Sequence, residues 1–366
     1  MLRILLELSQ LTLVLLGKHN VMRLKTCDFD FNLPPELIAQ IPASPRDHSR
    51  LFVYDTTTDT VYHRHFFDLP DYFNKGDVIV VNRSRVIPAR ILFKSNYKEC
   101  EIFVLKKQSS SVLNVLVRPG SFFKIDKTFF IDKVSCKVVR ILDDGTRDVE
   151  ICTDDIDAFI EKYGSTPLPP YIKNTTSDPE RYQTVYSNEA GSVAAPTAGL
   201  HFTNNLISTI KDNGVLIEEV ILHVGRGTFL PVTSEFVEDH KMHFESFTLS
   251  EPVASSVASA KASGSIVCAV GTTSVRVLES CHKNGLISSG SGETDIFIIP
   301  GLFQWNVVDR LLTNFHLPKS TLIMLFASFL ESKGIANSRE KILDIYNTAI
   351  RDGYRFYSFG DAMLIL

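Results

Sequence analysis

The sequence predicts an α/β protein: a mainly parallel sheet flanked by helices, with a small antiparallel β-barrel inserted into it. Three observations predict this. From residue 202 onward, strand-like apolar runs alternate with helix-like segments, the pattern of a sheet with crossover helices. Between residues 89 and 152, six short runs rich in β-branched and aromatic residues follow one another with turn signals between them. Two further strand-like runs, Leu51-Phe52-Val53-Tyr54 and Val78-Ile79-Val80-Val81, come before that block. The short-strand block therefore interrupts an α/β unit and does not sit on one end of it.

Residues 1–21 stand apart. Residues 4 to 16 are mostly Leu, Ile and Val, broken by Glu7, Ser9 and Gln10. A secretory signal is disfavoured by the charge at Glu7 and the missing A-x-A cleavage site. A short amphipathic helix is a second reading. The third, preferred here, is a non-native or disordered extension ahead of a start at Met22.

The insertion is expected to span residues 83–163, with residues 22–82 and 164–366 forming the α/β domain. The insertion's strands are Ala89 to Lys94, Cys100 to Leu105, Leu113 to Val117, Lys127 to Ile131, Ser135 to Ile141 and Asp148 to Cys152. Ser109-Ser110-Ser111, Arg118-Pro119-Gly120 and Asp143-Asp144-Gly145 supply turns. An acidic helix from Asp154 to Tyr163 and the run Pro167-Leu168-Pro169-Pro170 close the block.

Beyond it, a helix is expected from Phe202 to about Asn213, stopped by Gly214. A strand over Val215 to Val224 follows. A helix opens at Glu251-Pro252, where proline suits the first position. Ser265 to Val270 reads as a strand. Gly271-Thr272-Thr273-Ser274 then turns into a helix through Ser280, capped by its hydroxyls. Asp295 to Ile299 reads as another strand, and Thr321 to Leu330 as a core helix.

Composition is that of a globular protein, with 44% hydrophobic and 22% charged residues. The six cysteines are scattered with no CxxC spacing, which argues against a disulfide framework or zinc-thiolate site and fits a reducing cytoplasm. No apolar run reaches the roughly 18 residues of a membrane span. Net charge is −4, but it is uneven: residues 83–142 hold thirteen Lys/Arg and four Asp/Glu. Such asymmetry suits a module facing an anionic partner, although a solvated Lys-rich face reads the same way.

Several segments carry candidate chemistry. Ala195-Pro196-Thr197-Ala198-Gly199-Leu200-His201 combines small residues, which admit a ligand close to the backbone, with a possible proton carrier. A tight loop with a structural histidine fits equally. His223-Val224-Gly225-Arg226-Gly227-Thr228 follows a strand, where open α/β sheets bind ligands. It lacks the third glycine of a dinucleotide fingerprint. Gly271 to Arg276 offers free N–H groups and a helix dipole to an anion. His240-Lys241-Met242-His243-Phe244-Glu245 has two histidines at i, i+3, yet no further ligand is near in sequence, so no metal is expected. Asn314 and His316 are polar groups ahead of the last apolar helix.

Taken together these segments resemble the S-adenosylmethionine:tRNA ribosyltransferase-isomerase family of queuosine biosynthesis. The resemblance runs from Met22 to about Ile365 and rests on many strings in one order. They include Asp30 to Pro34, Asn82 with Val86-Ile87-Pro88-Ala89-Arg90, and Pro167 to Ile172. Tyr182-Gln183-Thr184-Val185-Tyr186, Ala194 to Phe202, His223-Val224-Gly225 and Gly227-Thr228-Phe229 follow. The His240/Met242/His243/Glu245 pattern, Gly271 to Arg276, Thr313 to Pro318, Tyr354-Arg355-Phe356 and Gly360-Asp361-Ala362-Met363 complete it.

The resemblance implies transfer and isomerisation of the ribosyl part of S-adenosylmethionine onto a 7-aminomethyl-7-deazaguanine at the tRNA wobble position. Epoxyqueuosine-tRNA forms, and adenine and methionine leave. It implies no prosthetic group, a cytoplasmic monomer, and no membrane partner. Matching polar positions give His201, His223, His243, Glu245 and Asp361 as candidate catalytic residues, with His201 or His223 preferred as the base. Thr197, Gly199, Gly225, Gly227, Thr228, Thr272, Thr273, Arg276, Asn314 and His316 are candidate substrate contacts. Arg85, Arg90 and Lys106 are candidate tRNA contacts. Arg83 departs from the acidic or amide residue usual after Asn82, and Arg226 stands at a variable position. An S-adenosylmethionine-dependent RNA methyltransferase and a non-catalytic RNA-binding protein are the rival readings.

Overall fold

A nine-stranded sheet forms the centre of the molecule, in a computed structural model that describes residues 23–95, 98–173, 178–225, 227 and 232–366. The expected extension over residues 1–21 lies outside the described residues. The strand order is Gly290–Thr294, Glu245–Leu249, Leu216–Leu222, Val78–Asn82, Val267–Val270, Arg310–Asn314, Ala362–Ile365, Arg50–Asp55 and Thr60–His65.

The sheet is mixed, not mainly parallel. Leu216–Leu222, Val78–Asn82, Val267–Val270 and Arg310–Asn314 run parallel to one another. Ala362–Ile365 enters antiparallel to Arg310–Asn314 but parallel to Arg50–Asp55. Antiparallel strands close both margins. Only Thr60–His65 follows its antiparallel neighbour through a short turn; the other antiparallel pairs are joined by long connections. The segment Asp295 to Ile299, expected as a strand, is irregular; the strand is the Gly-rich Gly290–Thr294 just before it. Pairing with Glu245–Leu249 along its whole length outweighs the low strand preference of its glycines.

Both faces of the sheet are covered. Alternation along Arg50–Asp55 sends Phe52 and Tyr54 to one core and Leu51 and Val53 to the other. Val78 and Val80 part from Ile79 and Val81 in the same way. Helix Asn204–Asp212 packs Leu206 and Ile210 on one face. Helices Glu251–Ser263, Gly271–Ser280, Thr321–Ser332 and Ser338–Arg351 fill the other. The expected helix from Phe202 is Asn204–Asp212, with the Thr203 hydroxyl accepting from the Leu206 N–H at its start, and a 3-10 turn, Thr197–His201, precedes it.

Residues 90–165 build a separate seven-stranded antiparallel sheet with its own core. Its order is Gly164–Ser165, Arg90–Ser95, Lys98–Lys107, Val112–Arg118, Arg147–Ile151, Val134–Ile141 and Thr128–Ile131. The sheet curls until Phe93 and Phe129 stack, 5.5 Å between centroids, yet its end strands share no ladder, so it is a half-barrel and not a closed barrel. The chain leaves and re-enters the main sheet at one neck. There Ser84–Val86 pairs in parallel with Glu189–Ser192, and the Ser192 hydroxyl donates to Ser84 Oγ at 2.8 Å. Arg83 reaches across the neck toward Glu219 at 3.7 Å and Glu189 at 4.0 Å.

The six cysteines are all free. Among the described residues, no helix is long and apolar enough to cross a membrane.

Candidate active site

Four parallel strands end on one edge of the main sheet, and that edge carries the site. Leu216–Leu222 runs out into His223-Val224-Gly225, Val267–Val270 into helix Gly271–Ser280, and Arg310–Asn314 into Phe315-His316. The reversed strand Ala362–Ile365 begins at the same edge, because Ala362 sits opposite Asn314. It brings Tyr357 and Ser358 with it. Glu245, at the start of an antiparallel strand, arrives there too.

The helix start lies at the middle of this edge. Gly271 takes φ +79°, a left-handed conformation that turns the chain abruptly from strand into helix. Capping by the hydroxyls, expected from the sequence, is not what the structure does: the N-cap is Val270, and no side chain bonds the first turn. Ser274 instead donates back to the Val270 carbonyl at 2.9 Å. The Thr273 hydroxyl is buried and has no partner. An uncapped helix N-terminus with an orphaned hydroxyl is a cradle for an anion.

Two small cavities meet here and share Thr272, Thr273 and Leu322 in their walls. The first, about 40 Å³, is lined by Gly227, His240, Met242, His243, Glu245 and Arg276 among others. Arg276 and Glu245 are both buried and form an ion pair. A second Arg276 nitrogen donates to the Thr294 carbonyl at 2.9 Å, and Glu245 Oε1 accepts from the Gly225 N–H at 2.7 Å. His243 fills the space that a side chain at Gly227 would need, so that glycine is what lets the imidazole come in. Burial lowers the pKa of His240, and the neighbouring His243 lowers it further. Among the described residues, no group of three His, Cys, Asp or Glu is arranged to hold a metal ion.

The second cavity, about 60 Å³, is lined by Ala195 to Ala198, Thr313, His316, Tyr171, Tyr357 and Ser358 among others. Its aromatic wall was not picked out in the sequence. Tyr171 and Tyr357 lie 4.6 Å apart between centroids, and the Tyr171 hydroxyl meets Ser358 Oγ at 2.7 Å. Tyr357 adopts φ +71°, rare for a bulky residue, held by its N–H on the Phe315 carbonyl at 3.0 Å and by Asn314 Nδ2 on its own carbonyl at 3.1 Å. His316 shares a hydrogen bond with the Thr313 hydroxyl at 2.9 Å, and burial lowers its pKa to about 3.

Other expected residues are set back from both cavities. His201 is buried behind the loop: Nδ1 bonds the Ser49 hydroxyl at 2.7 Å and the ring stacks on Phe66. Burial drives its pKa down to about 4, against an opposing pull from Asp361. His201 Nε2 and Asn314 Oδ1 are both buried with no partner at hydrogen-bond distance. His223 packs against Gly191, and burial lowers its pKa while Glu189 raises it. Gly199 faces the Tyr186 hydroxyl. Asp361 is a buried clasp, accepting from the Arg50 N–H at 3.1 Å, the Arg355 N–H at 2.9 Å and the Arg355 guanidinium. Thr197 lines the second cavity, and Thr228 lies outside the described residues.

The expected tRNA contacts are engaged in ion pairs: Arg85 with Glu180, Arg90 with Glu101 at 2.8 Å, Lys106 with Glu293 at 3.2 Å. Lys94, Lys98, Arg118, Lys124, Lys127 and Lys133 are exposed, and no carboxylate pairs with them among the described residues. Spacing in the sequence gave no sign of which cations would be left unpaired.

A family model described as "Queuosine biosynthesis protein" matches residues 26–365. An S-adenosylmethionine:tRNA ribosyltransferase-isomerase of Moorella thermoacetica is 46% identical over 346 residues, covering 93% of this chain and 99% of the relative. One of the same name from Acetivibrio thermocellus is 46% identical over 348 residues, 93% of this chain and 100% of the relative. The crystal structure of an S-adenosylmethionine tRNA ribosyltransferase from Thermotoga maritima matches with a TM-score of 0.53 and 34% identity, over 93% of this chain and all of that one.

Proposed function

The chain belongs to the queuosine biosynthesis family, and we propose that its strand-end cavities are where the family's ribosyl transfer takes place. The chain is an enzyme of the transferase class acting in tRNA modification. It transfers and isomerises the ribosyl part of S-adenosylmethionine onto the aminomethyl group of a wobble 7-deazaguanine, giving epoxyqueuosine-tRNA with release of adenine and methionine. S-adenosylmethionine is a substrate, with no prosthetic group.

The observation that carries the location is the Thr273 hydroxyl, buried without a partner beside an uncapped helix start where two cavities meet. In this reading Thr272, Thr273 and the first-turn N–H groups hold the methionine carboxylate. Arg276 adds positive charge there, and Glu245 fixes the guanidinium and the Gly225 turn. His243 takes the proton from the carbon beside the sulfonium, whose charge acidifies that proton. The electron pair left behind opens the sugar and expels adenine. The RNA amine then adds to the vinyl carbon next to the one bearing sulfur and loses a proton. The sulfur-bearing carbanion so formed closes on the aldehyde left where adenine departed, and the resulting alkoxide displaces methionine to make the epoxide. Holding amine and sugar together supplies several kcal/mol of the acceleration. His316, kept neutral by burial, and Thr197 line the sugar side. His201, His223, Asn314 and Asp361 act as positioning residues behind this surface.

Residues 22–82 with 164–366 then act as the catalytic unit, and residues 83–163 as the unit that grips RNA. The excess of unpaired cations on the latter supports a phosphate-binding role. Arg85 and Lys106 can exchange their exposed carboxylate partners for phosphate at small cost, whereas Arg90 is paired with the half-buried Glu101. A cytoplasmic monomer fits this reading.

The test is incubation of the protein with tRNA and S-adenosylmethionine labelled in the ribose. Free adenine and label in the tRNA are expected. S-adenosylhomocysteine as the product would replace ribosyl transfer with methyl transfer. RNA binding with no consumption of S-adenosylmethionine would leave only a binding protein.

A further inference from the structure

A cavity larger than either of those at the strand ends lies elsewhere. It is a cleft of about 450 Å³ between the half-barrel and the main unit. Phe103, Leu116 and Val117 come from the half-barrel, and Pro167 to Pro170 with Val193 from the other side. Glu101 and Arg118 stand opposite each other on neighbouring strands at the cleft. The pleat produces this wall: Ile102 and Val104 point into the half-barrel core, so Glu101 and Phe103 between them face the cleft. Two of its walls continue into the aromatic cavity, because Pro170 precedes Tyr171 and Val193 precedes Ala194-Ala195.

We propose that this cleft seats one unstacked nucleobase of the RNA anticodon loop, its face on Phe103 and Leu116 across from the proline run. The Arg118 guanidinium takes the adjoining phosphate. This rests on the ribosyl-transfer reading and adds the place where the loop is opened. Charge favours RNA as the occupant: Arg118 has no carboxylate partner, and Lys94, Lys98, Lys124, Lys127 and Lys133 of the same half-barrel share that condition. Size and chemistry favour a base, since single-stranded RNA is recognised by splaying bases onto apolar and aromatic surfaces. The shared walls put a neighbouring nucleotide within a short step of Tyr171 and the helix start.

The test uses the full-length protein and fluorescein-labelled anticodon stem-loop RNA, with a blunt duplex of the same stem as control. Leu116→Trp fills the cleft, and Arg118→Glu reverses an exposed charge that folding does not need. Each should weaken stem-loop binding about tenfold, through one lost base stack in Leu116→Trp and one lost phosphate contact in Arg118→Glu. S-adenosylmethionine binding, measured by calorimetry, should hold, and Leu116→Trp should leave duplex binding unchanged. Stem-loop affinity within about twofold of wild type in both variants overturns the inference. So does an equal loss for stem-loop and duplex in Leu116→Trp. Wild-type protein that binds the loop in a Leu116-dependent way but consumes no S-adenosylmethionine defeats ribosyl transfer and leaves the cleft standing. Full turnover with an unchanged KM for RNA in Leu116→Trp defeats the cleft alone.

Discussion

Glu245 and Arg276 face each other in the interior, and each is tied to a different piece of the strand-end surface. The carboxylate accepts from the Gly225 N–H, and the guanidinium donates to the Thr294 carbonyl. The pair joins a turn, a helix and an edge strand. Removing either partner leaves the other charge buried, which costs about 3–5 kcal/mol. Glu245→Ala and Arg276→Ala should each destabilise by that order in urea unfolding, and the double variant by much less than their sum. Additive losses would show that the two charges do not depend on each other.

Thr273→Val separates function from stability. The substitution deletes a buried hydroxyl that bonds to nothing. The melting temperature should hold or rise slightly, since an unsatisfied polar group is a cost. The KM for S-adenosylmethionine should rise about tenfold, roughly one hydrogen bond to a charged group. A drop in melting temperature with unchanged KM would make Thr273 structural.

His201 carries a pH signature. Its pKa falls from 6.5 to about 4 on folding, so the unfolded chain binds the extra proton between those values. Stability is therefore unaffected above pH 6.5 and declines as pH drops toward 4. The decline should reach about 3 kcal/mol from this group alone. His201→Gln should flatten the difference between unfolding at pH 7 and at pH 5. An unchanged pH slope would remove the buried imidazole as its source.

His243→Gln should lower kcat by about 100-fold or more with S-adenosylmethionine binding retained, as expected for a lost general base. His316→Gln should change KM more than kcat, because a group with pKa about 3 stays neutral across the working range. Single-turnover adenine release by each variant checks both. A His243 variant with near-normal release would pass the base role to another group.

RNA binding should follow the unpaired cations. Lys124→Glu and Lys133→Glu should each reduce the salt slope of tRNA affinity by about 1. Arg90→Glu, whose partner is Glu101, should reduce it less. Equal effects at all three positions would mean that ion pairing does not select the phosphate contacts.

The sequence carried much of this architecture. Alternating apolar runs placed Val78–Asn82, Val267–Val270 and six of the seven half-barrel strands, because burial on one or both faces leaves a period in the chain. Gly271 to Arg276 stood out for the same local reason: a turn and a helix start need particular residues. Strand direction was less legible, since nothing local in Ala362–Ile365 says that it runs against Arg310–Asn314. His201 and His243 sat in equally suggestive strings, yet only His243 lines a cavity. Ser49, some 150 positions away from His201, decides that histidine's orientation, and no spacing encodes such a partner. Tyr171 and Tyr357 were not among the candidate site residues, because each alone is an ordinary tyrosine beside a turn and only their meeting makes a wall.

The neck has a mechanical corollary. Ser192, which clasps Ser84, also accepts the Val224 N–H on its hydroxyl at 2.9 Å, and the next residue, Val193, donates to the Val224 carbonyl at 2.9 Å. One short stretch of backbone thus serves as the hinge pin of the half-barrel and as a splint on the loop leading to Gly225. Any tilt of the outer lobe under the pull of a docked nucleic acid must tug on that splint, so grip at the periphery is wired to tension beside the Glu245 carboxylate.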